Sequence, residues 1–181
     1  MFIQTEQTPN PATLKFLPGE TVLEQGTANF VNAEEASRSP LAVALFAIPG
    51  VAGVFFGYDF ITITSDGRDW AELKPVILGT IMEHFTAGIP VLTTVSGDVA
   101  EASEDDDEIV SQIKELLETR VRPAVARDGG DIVFHAFREG TVYLHMQGAC
   151  AGCPSSTATL KYGIQNLLKH YIPEVENVEA V

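Results

Sequence analysis

Cysteine is scarce in this chain of 181 residues: there are two, Cys150 and Cys153, separated by two residues. A framework of several disulfides, the usual staple of a small secreted domain, is therefore excluded. Basic side chains are also few. Eleven lysines and arginines face 25 aspartates and glutamates, for a formal charge of −14. So anionic a surface repels phosphate backbones, which argues against a nucleic-acid ligand. No apolar run approaches the roughly 20 residues that span a bilayer. The opening MFIQTEQTPNP has no basic start, no apolar stretch and no arginine-rich amphipathic pattern, so it reads neither as a secretory signal nor as a transit peptide. The expectation is a bacterial-type cytoplasmic protein, or a mature chain whose targeting segment has been removed, in which case the mitochondrial matrix is its compartment. In a reducing compartment two cysteines point to metal or redox chemistry rather than to a structural bridge. The first half of the chain holds one histidine (His84), no cysteine and no glycine-rich phosphate loop, so nothing there reads as catalytic.

What is present suffices for a packed core: 45% of the residues are hydrophobic and 20% charged, which excludes global disorder. The charge is unevenly spread. Residues 1–95 carry 10 acidic and 4 basic side chains (−6), residues 96–107 carry 6 and none (−6), and residues 108–181 carry 9 and 7 (−2). The middle run, Ser96 to Asp107, is poor in large apolar residues and self-repelling, as an extended linker is. Strand and helix patterns stand on both sides of it. The fold class expected is α+β: two small domains, 1–95 and 108–181, joined by an acidic linker at 96–107.

In the first domain, Phe2–Gln4 and Thr13–Phe16 are short extended runs about the turn signal Thr8-Pro9-Asn10-Pro11. Ser39 caps a short helix with Pro40 at its first position and Gly50 near its end. Val51–Phe56 and Phe60–Thr64 read as a hairpin, with Ile61 and Ile63 alternating with Thr62 and Thr64 as in a half-buried strand. A helix follows from Trp70 to Phe85, with Leu73, Ile77, Ile81 and Phe85 as its apolar stripe. In the second domain the order is α-β-β-α with a terminal strand at Val178–Val181. Ile109, Ile113, Leu116, Leu117 and Val121 share one helix face, and Arg122-Pro123 near its end is a point for a kink. Asp128-Gly129-Gly130-Asp131 reads as a turn, in which the glycines supply positive φ and the aspartates cap neighbouring backbone. Ile132–Phe137 and Thr141–Met146 form a hairpin with Val142, Leu144 and Met146 on one face and Tyr143 and His145 on the other. Leu160, Ile164, Leu167, Leu168 and Tyr171 stripe the last helix, which Pro173 stops.

The two cysteines fall between the end of a strand near Met146 and a helix that starts near Pro154. Ser155, Ser156 and Thr157 offer hydroxyls to the unpaired N–H groups of its first turn. The positive end of a helix dipole favours thiolates. Gly148 and Gly152 let amides approach the sulfurs, one way in which proteins tune iron–sulfur clusters. Ringed by small residues at a helix start, the thiols are expected to lie unshielded and outside the core.

Structural zinc sites and iron–sulfur clusters commonly take four protein ligands, and this chain offers two thiols. His135, His145 and His170 lie in the same half, but none stands at a metal-ligand spacing from the cysteines. The other solution is symmetry: two chains about a two-fold axis bring four thiolates together, a soft donor set that suits iron–sulfur or zinc. A dithiol used for disulfide exchange stays open as a rival, although proline follows the second cysteine here instead of standing between the two.

Gly148-Ala149-Cys150-Ala151-Gly152-Cys153-Pro154-Ser155-Ser156, followed by Thr159-Leu160, resembles the signature of the NifU C-terminal domain. Arg122-Pro123 and Asp128-Gly129-Gly130-Asp131 resemble that domain's upstream segment. Gln7-Thr8-Pro9-Asn10-Pro11 and Lys15-Phe16 resemble the Nfu N-terminal domain, and the two together cover nearly the whole chain. The resemblance implies an Nfu-type iron–sulfur cluster carrier that is not an enzyme. Cys150 and Cys153 of each of two subunits would hold a [4Fe-4S] cluster, with [2Fe-2S] as the variant nuclearity. A homodimer or higher oligomer would receive the cluster from an upstream scaffold and deliver it to apo-proteins, with the N-terminal domain helping to recognise partners. The further cysteine-rich and ferredoxin-like domains of full NifU are not in this sequence, so carriage is implied rather than assembly with a cysteine desulfurase. The alternatives are a thiol–disulfide oxidoreductase and a zinc-bridged structural dimer.

Overall fold

A computed structural model describes residues 1–93, 108–151 and 154–181. The chain divides into two compact units, Met1–Asp98 and Val99–Val181. The acidic run expected to link two domains lies outside the described residues.

The first unit is a five-stranded antiparallel sheet in the order β1-β2-β5-β4-β3: β1 Gln4–Gln7, β2 Thr13–Leu17, β3 Ala28–Phe30, β4 Val51–Phe56 and β5 Ile61–Ser65. β1 begins two residues later than its apolar start suggests, because Gln4 pairs with Leu17 and Gln7 with Leu14. One face of the sheet buries Phe16, Phe30, Val54, Phe56, Ile61 and Ile63 against helices α1 (Pro40–Phe46) and α2 (Trp70–Thr86). Ser39 caps α1, its Oγ accepting the Ala42 N–H and donating to the Val91 carbonyl. The strand at Ile61–Ser65 is not half-buried as its alternation suggests: Thr62 is covered too, on the face that holds Phe55, Phe60 and Lys15. There the Lys15 ammonium lies 4.8 Å from the centre of the Phe60 ring, a cation–π contact that helps to offset its desolvation.

The stripe of α2 ends on His84, not Phe85. Leu73, Ile77, Ile81 and His84 are buried while Phe85 is only partly so, and the His84 Nε2 has no hydrogen-bond partner among the described residues. Burial lowers the His84 pKa, and a hydrogen bond with the Ile89 backbone offsets part of that shift. A histidine held neutral in the fold and free to charge when unfolded stabilises the protein fully above its usual value near 6.5 and loses that contribution as the pH falls below it. Thermal melts of the full chain from pH 7.5 to 5 should therefore show a steeper loss of stability in wild type than in His84→Gln. Parallel curves would exclude this residue as the cause.

The second unit has a three-stranded sheet in the order β6-β7-β8: β6 Gly130–Arg138 and β7 Thr141–Gly148 antiparallel, and β8 Asn177–Ala180 parallel to β7 at the edge. Val142, Leu144 and Met146 face inward and His145 outward. The first helical segment runs without a break from α3 (Glu108–Leu116) through a π turn (Leu117–Val121) into α4 (Arg122–Arg127). Pro123 therefore does not end the helix. A proline has no N–H for a helical bond and its ring crowds the preceding turn, and the wider π turn just before it relieves both. The last helix, α5, spans Pro154–Tyr171. Ile164 and Leu168 are buried, but Tyr171 is exposed, and Ile172, just beyond the helix end, fills the core in its place. Among the described residues no helix is long and apolar enough to cross a membrane.

Candidate functional site

Cys150 follows the last residues of β7, and α5 begins four residues later at Pro154. Gly148 ends the strand with φ at 64°, a left-handed conformation that glycine adopts without the strain a Cβ would bring. The turn it makes is closed by the Ala151 N–H donating to the Gly148 carbonyl at 3.1 Å. The Ala149 N–H donates to the Gly129 carbonyl, also at 3.1 Å. Through that bond the cysteine loop rests on the Asp128–Gly129 turn, some 20 residues upstream. The Thr157 hydroxyl donates to the Cys150 carbonyl at 3.4 Å. Cys153 and Gly152, and the side chains of Ser155 and Ser156, lie outside the described residues.

Cys150 is not unshielded. It is 7% exposed and belongs to the same apolar cluster as Val125, Ile132, Met146 and Ile164. The reason is Gly130. A Cβ on that residue would stand 2.5 Å from Cys150 Sγ and 2.8 Å from the Gln147 carbonyl oxygen, both closer than a carbon tolerates, and at a tight 3.0 Å from the Cys150 nitrogen. The missing side chain is the seat of the thiol. The absence of a side chain at Gly130 of β6 thus lets the sulfur sink inward instead of leaving it open.

The seat is fastened by charge. Only Asp128 and Gly129 of the expected four-residue turn are turn; Gly130 and Asp131 open β6 opposite Gly148 and Gln147. Asp131 is buried and takes a two-pronged hydrogen bond from Arg122, Nε to Oδ1 at 2.9 Å and Nη2 to Oδ2 at 2.8 Å. Its Oδ1 also accepts the Ile132 N–H at 2.8 Å. The other arm of Arg122 pairs with Glu118, one turn back. The Asp131 carboxylate, ahead of all other neighbours, holds the Arg122 guanidinium above its already high pKa. Arg122 and Asp131 are nine residues apart, a spacing with no periodic signature, and their partnership is the part of the site that the sequence does not advertise.

The histidines lie elsewhere. His135 and His170 are exposed, and His145 is exposed with Nδ1 3.1 Å from the Val181 carbonyl. Among the described residues no three His, Cys, Asp or Glu side chains come together in a way that could hold a metal ion.

Residues 3–88 match the family described as scaffold protein Nfu/NifU N terminal, and residues 113–179 match the NifU-like domain. The chain is 55% identical over 183 residues to a human protein named "NFU1 iron-sulfur cluster scaffold homolog, mitochondrial", spanning all of this chain and 72% of that one. It is likewise 55% identical over 184 residues to the protein of that name from Drosophila sechellia, of which it spans 65%. Among solved structures, a NifU-like protein from Saccharomyces cerevisiae is similar at 30% identity and a TM-score of 0.47, over 52% of this chain and 86% of that one. Two family domains in their usual order, together with identity above half along the entire sequence, leave one conclusion: the chain belongs to the Nfu family of NifU-like iron–sulfur cluster scaffold proteins.

Proposed function

We propose that this protein is a non-enzymatic carrier that holds a [4Fe-4S] cluster between two copies of itself through Cys150 and Cys153 of each, and passes it to apo-proteins. The observation that carries this reading is the count of thiols: a member of a cluster-scaffold family has two, where a cluster takes four ligands. No group of other side chains among the described residues makes up the difference. A second copy does, by symmetry. A [2Fe-2S] cluster has the same four-thiolate requirement and is the alternative cargo.

Loading takes Cys150 Sγ out of its seat beside Gly130, and release lets it return. That return favours letting go, which suits a carrier better than a protein that keeps its cluster for electron transfer. Hand-over is ligand exchange: each incoming client thiol gives up a proton, each departing carrier thiolate takes one, and no electron changes hands. In this reading residues 1–95 are a partner-recognition domain, residues 96–107 a linker and residues 108–181 the cluster domain, supplied by an upstream scaffold. The names of the relatives favour a mitochondrial compartment over the bacterial cytoplasm.

Anaerobic reconstitution of the full chain with ferrous iron and sulfide tests this. Visible thiolate-to-iron charge-transfer absorption is expected, with one four-iron cluster per two chains on a sizing column. Cys150→Ser and Cys153→Ser should each abolish it. A loaded monomer, or iron retained in both serine variants, would overturn the reading. Zinc in the anaerobically isolated protein would identify a zinc-bridged dimer instead, and brisk insulin reduction a dithiol oxidoreductase.

A further inference from the structure

The chain carries 25 acidic residues, yet from Gly140 to Pro173 there is none. That stretch contains β7, the cysteine loop and all of α5, and its only lysines are Lys161 and Lys169. Ile164 and Leu168 of α5 point into the core. On the far side Thr159, Tyr162, Gly163 and Asn166 are exposed, at the i, i+3, i+4, i+7 spacing of a single helix face. A helix face meant for water is ordinarily charged. This one carries no charge from Thr159 to Asn166, the exposed Lys169 standing beyond it, and displays Tyr162 at 64% exposure, the residue type that interfaces gather while they shed aspartate, glutamate and lysine. At its centre stands Gly163, where an added Cβ would meet nothing within 4 Å. A mid-helix glycine costs stability relative to alanine, and within the protomer nothing is gained in return. An approaching backbone would gain from it.

We propose that this face of α5 is the surface on which a second copy of the chain docks when the cluster is shared. The inference rests on the reading of the protein as a two-chain cluster carrier. Charge selects the occupant. Two chains at −14 each repel wherever their acids face one another, and a cluster held by four thiolates adds negative charge between them. The acid-free band beside the cysteines is where both can be accommodated. About a two-fold axis the helix meets its own copy, with Gly163 allowing close approach and Tyr162 packing over the partner helix.

The test uses Gly163→Ala and Tyr162→Glu in the full chain, with ferrous iron and sulfide as the probe. Gly163→Ala should raise the melting temperature of the apo-protein by about 2–4 °C, through helix propensity, and yet weaken the loaded dimer. Tyr162→Glu should leave the apo-protein folded and weaken the loaded dimer at least about tenfold in sedimentation, with visible absorption lost on dilution. Opposite signs for one substitution are what a merely structural glycine would not produce. Wild-type dimerisation and iron content in both variants would overturn the proposal while leaving the carrier reading intact. So would variants that keep dimer and iron but fail only in transfer, for then the face belongs to a client. Failure of the wild-type chain to load any cluster would overturn the carrier reading, and this inference with it.

Discussion

Replacing Arg122 by methionine is expected to cost the C-terminal unit about 3–5 kcal/mol, more than removing its partner Asp131 costs. The asymmetry follows from where each charge sits. The Asp131 side chain is 4% exposed and that of Arg122 29%. Removing the arginine leaves a carboxylate in the interior without the guanidinium that neutralises it, and an uncompensated buried charge is among the costliest defects a fold can carry. Removing the aspartate leaves Arg122 with Glu118 and partial access to water, so Asp131→Asn is expected to cost about 1–3 kcal/mol, the value of the charge-assisted bonds lost. Methionine keeps most of the aliphatic stem of arginine, which limits the loss of packing. Urea melts of the single and double variants form the check. The double variant should be more stable than the sum of the two single losses predicts, because it removes both charges together. Additive losses would mean that the pair contributes no coupling, and that the loop it fastens is held by packing alone.

That ion pair marks the boundary of what the sequence disclosed. The hairpin strands at 132–137 and 141–146, a terminal strand near 178–181 and the Ser39-Pro40 helix start were all legible, since each is written in neighbouring residues; the parallel pairing of that last strand with β7 was not. β3 was not: three residues are too few for a period. The two helices with four-residue apolar spacing show how period alone misleads. At about 100° per residue, a step of four drifts forward by about 40° each turn. In α2 three such steps carry Phe85 to the rim of the face, where it packs against the core only partly buried, and His84 takes the buried position. Along α3 and α4 the same spacing holds to the end, with Ile113, Leu117, Val121 and Val125 all buried. There the π turn at Leu117–Val121 absorbs the drift that a regular helix would accumulate. A strict step of four running up to a proline was the available signal for that turn. The site divides in the same way. The cysteine pair and its place between strand and helix were local, and the thiol count behind the proposed second chain was arithmetic. The burial of Cys150 depends on a glycine 20 positions away, and on a salt bridge that no spacing rule would have connected.

Gly130→Ala tests that long-range dependence directly. The added methyl group cannot be absorbed by a side-chain rotation alone, because two of its three nearest atoms are backbone: the Gln147 oxygen and the Cys150 nitrogen. The end of the β6–β7 ladder at Gly130 and Gly148 must open, and the Ala149 to Gly129 hydrogen bond opens with it. Overpacking of this kind costs about 1–3 kcal/mol. Its larger consequence is chemical. With the seat filled, Sγ has nowhere to sink, and the thiol is driven to the surface. In a Cys153→Ser background, where Cys150 is the single thiol, alkylation by iodoacetamide at fixed pH should accelerate at least about tenfold over the same background with Gly130, the equivalent of about 1.4 kcal/mol of seating free energy removed. An alkylation rate that Gly130→Ala does not change would mean that Cys150 already spends its time outside the core, and that the contact with Gly130 does not hold it. An accelerated rate would establish that Gly130 holds the Cys150 thiol inside the apo-protein, the position from which the proposed carrier would have to draw it to load a cluster.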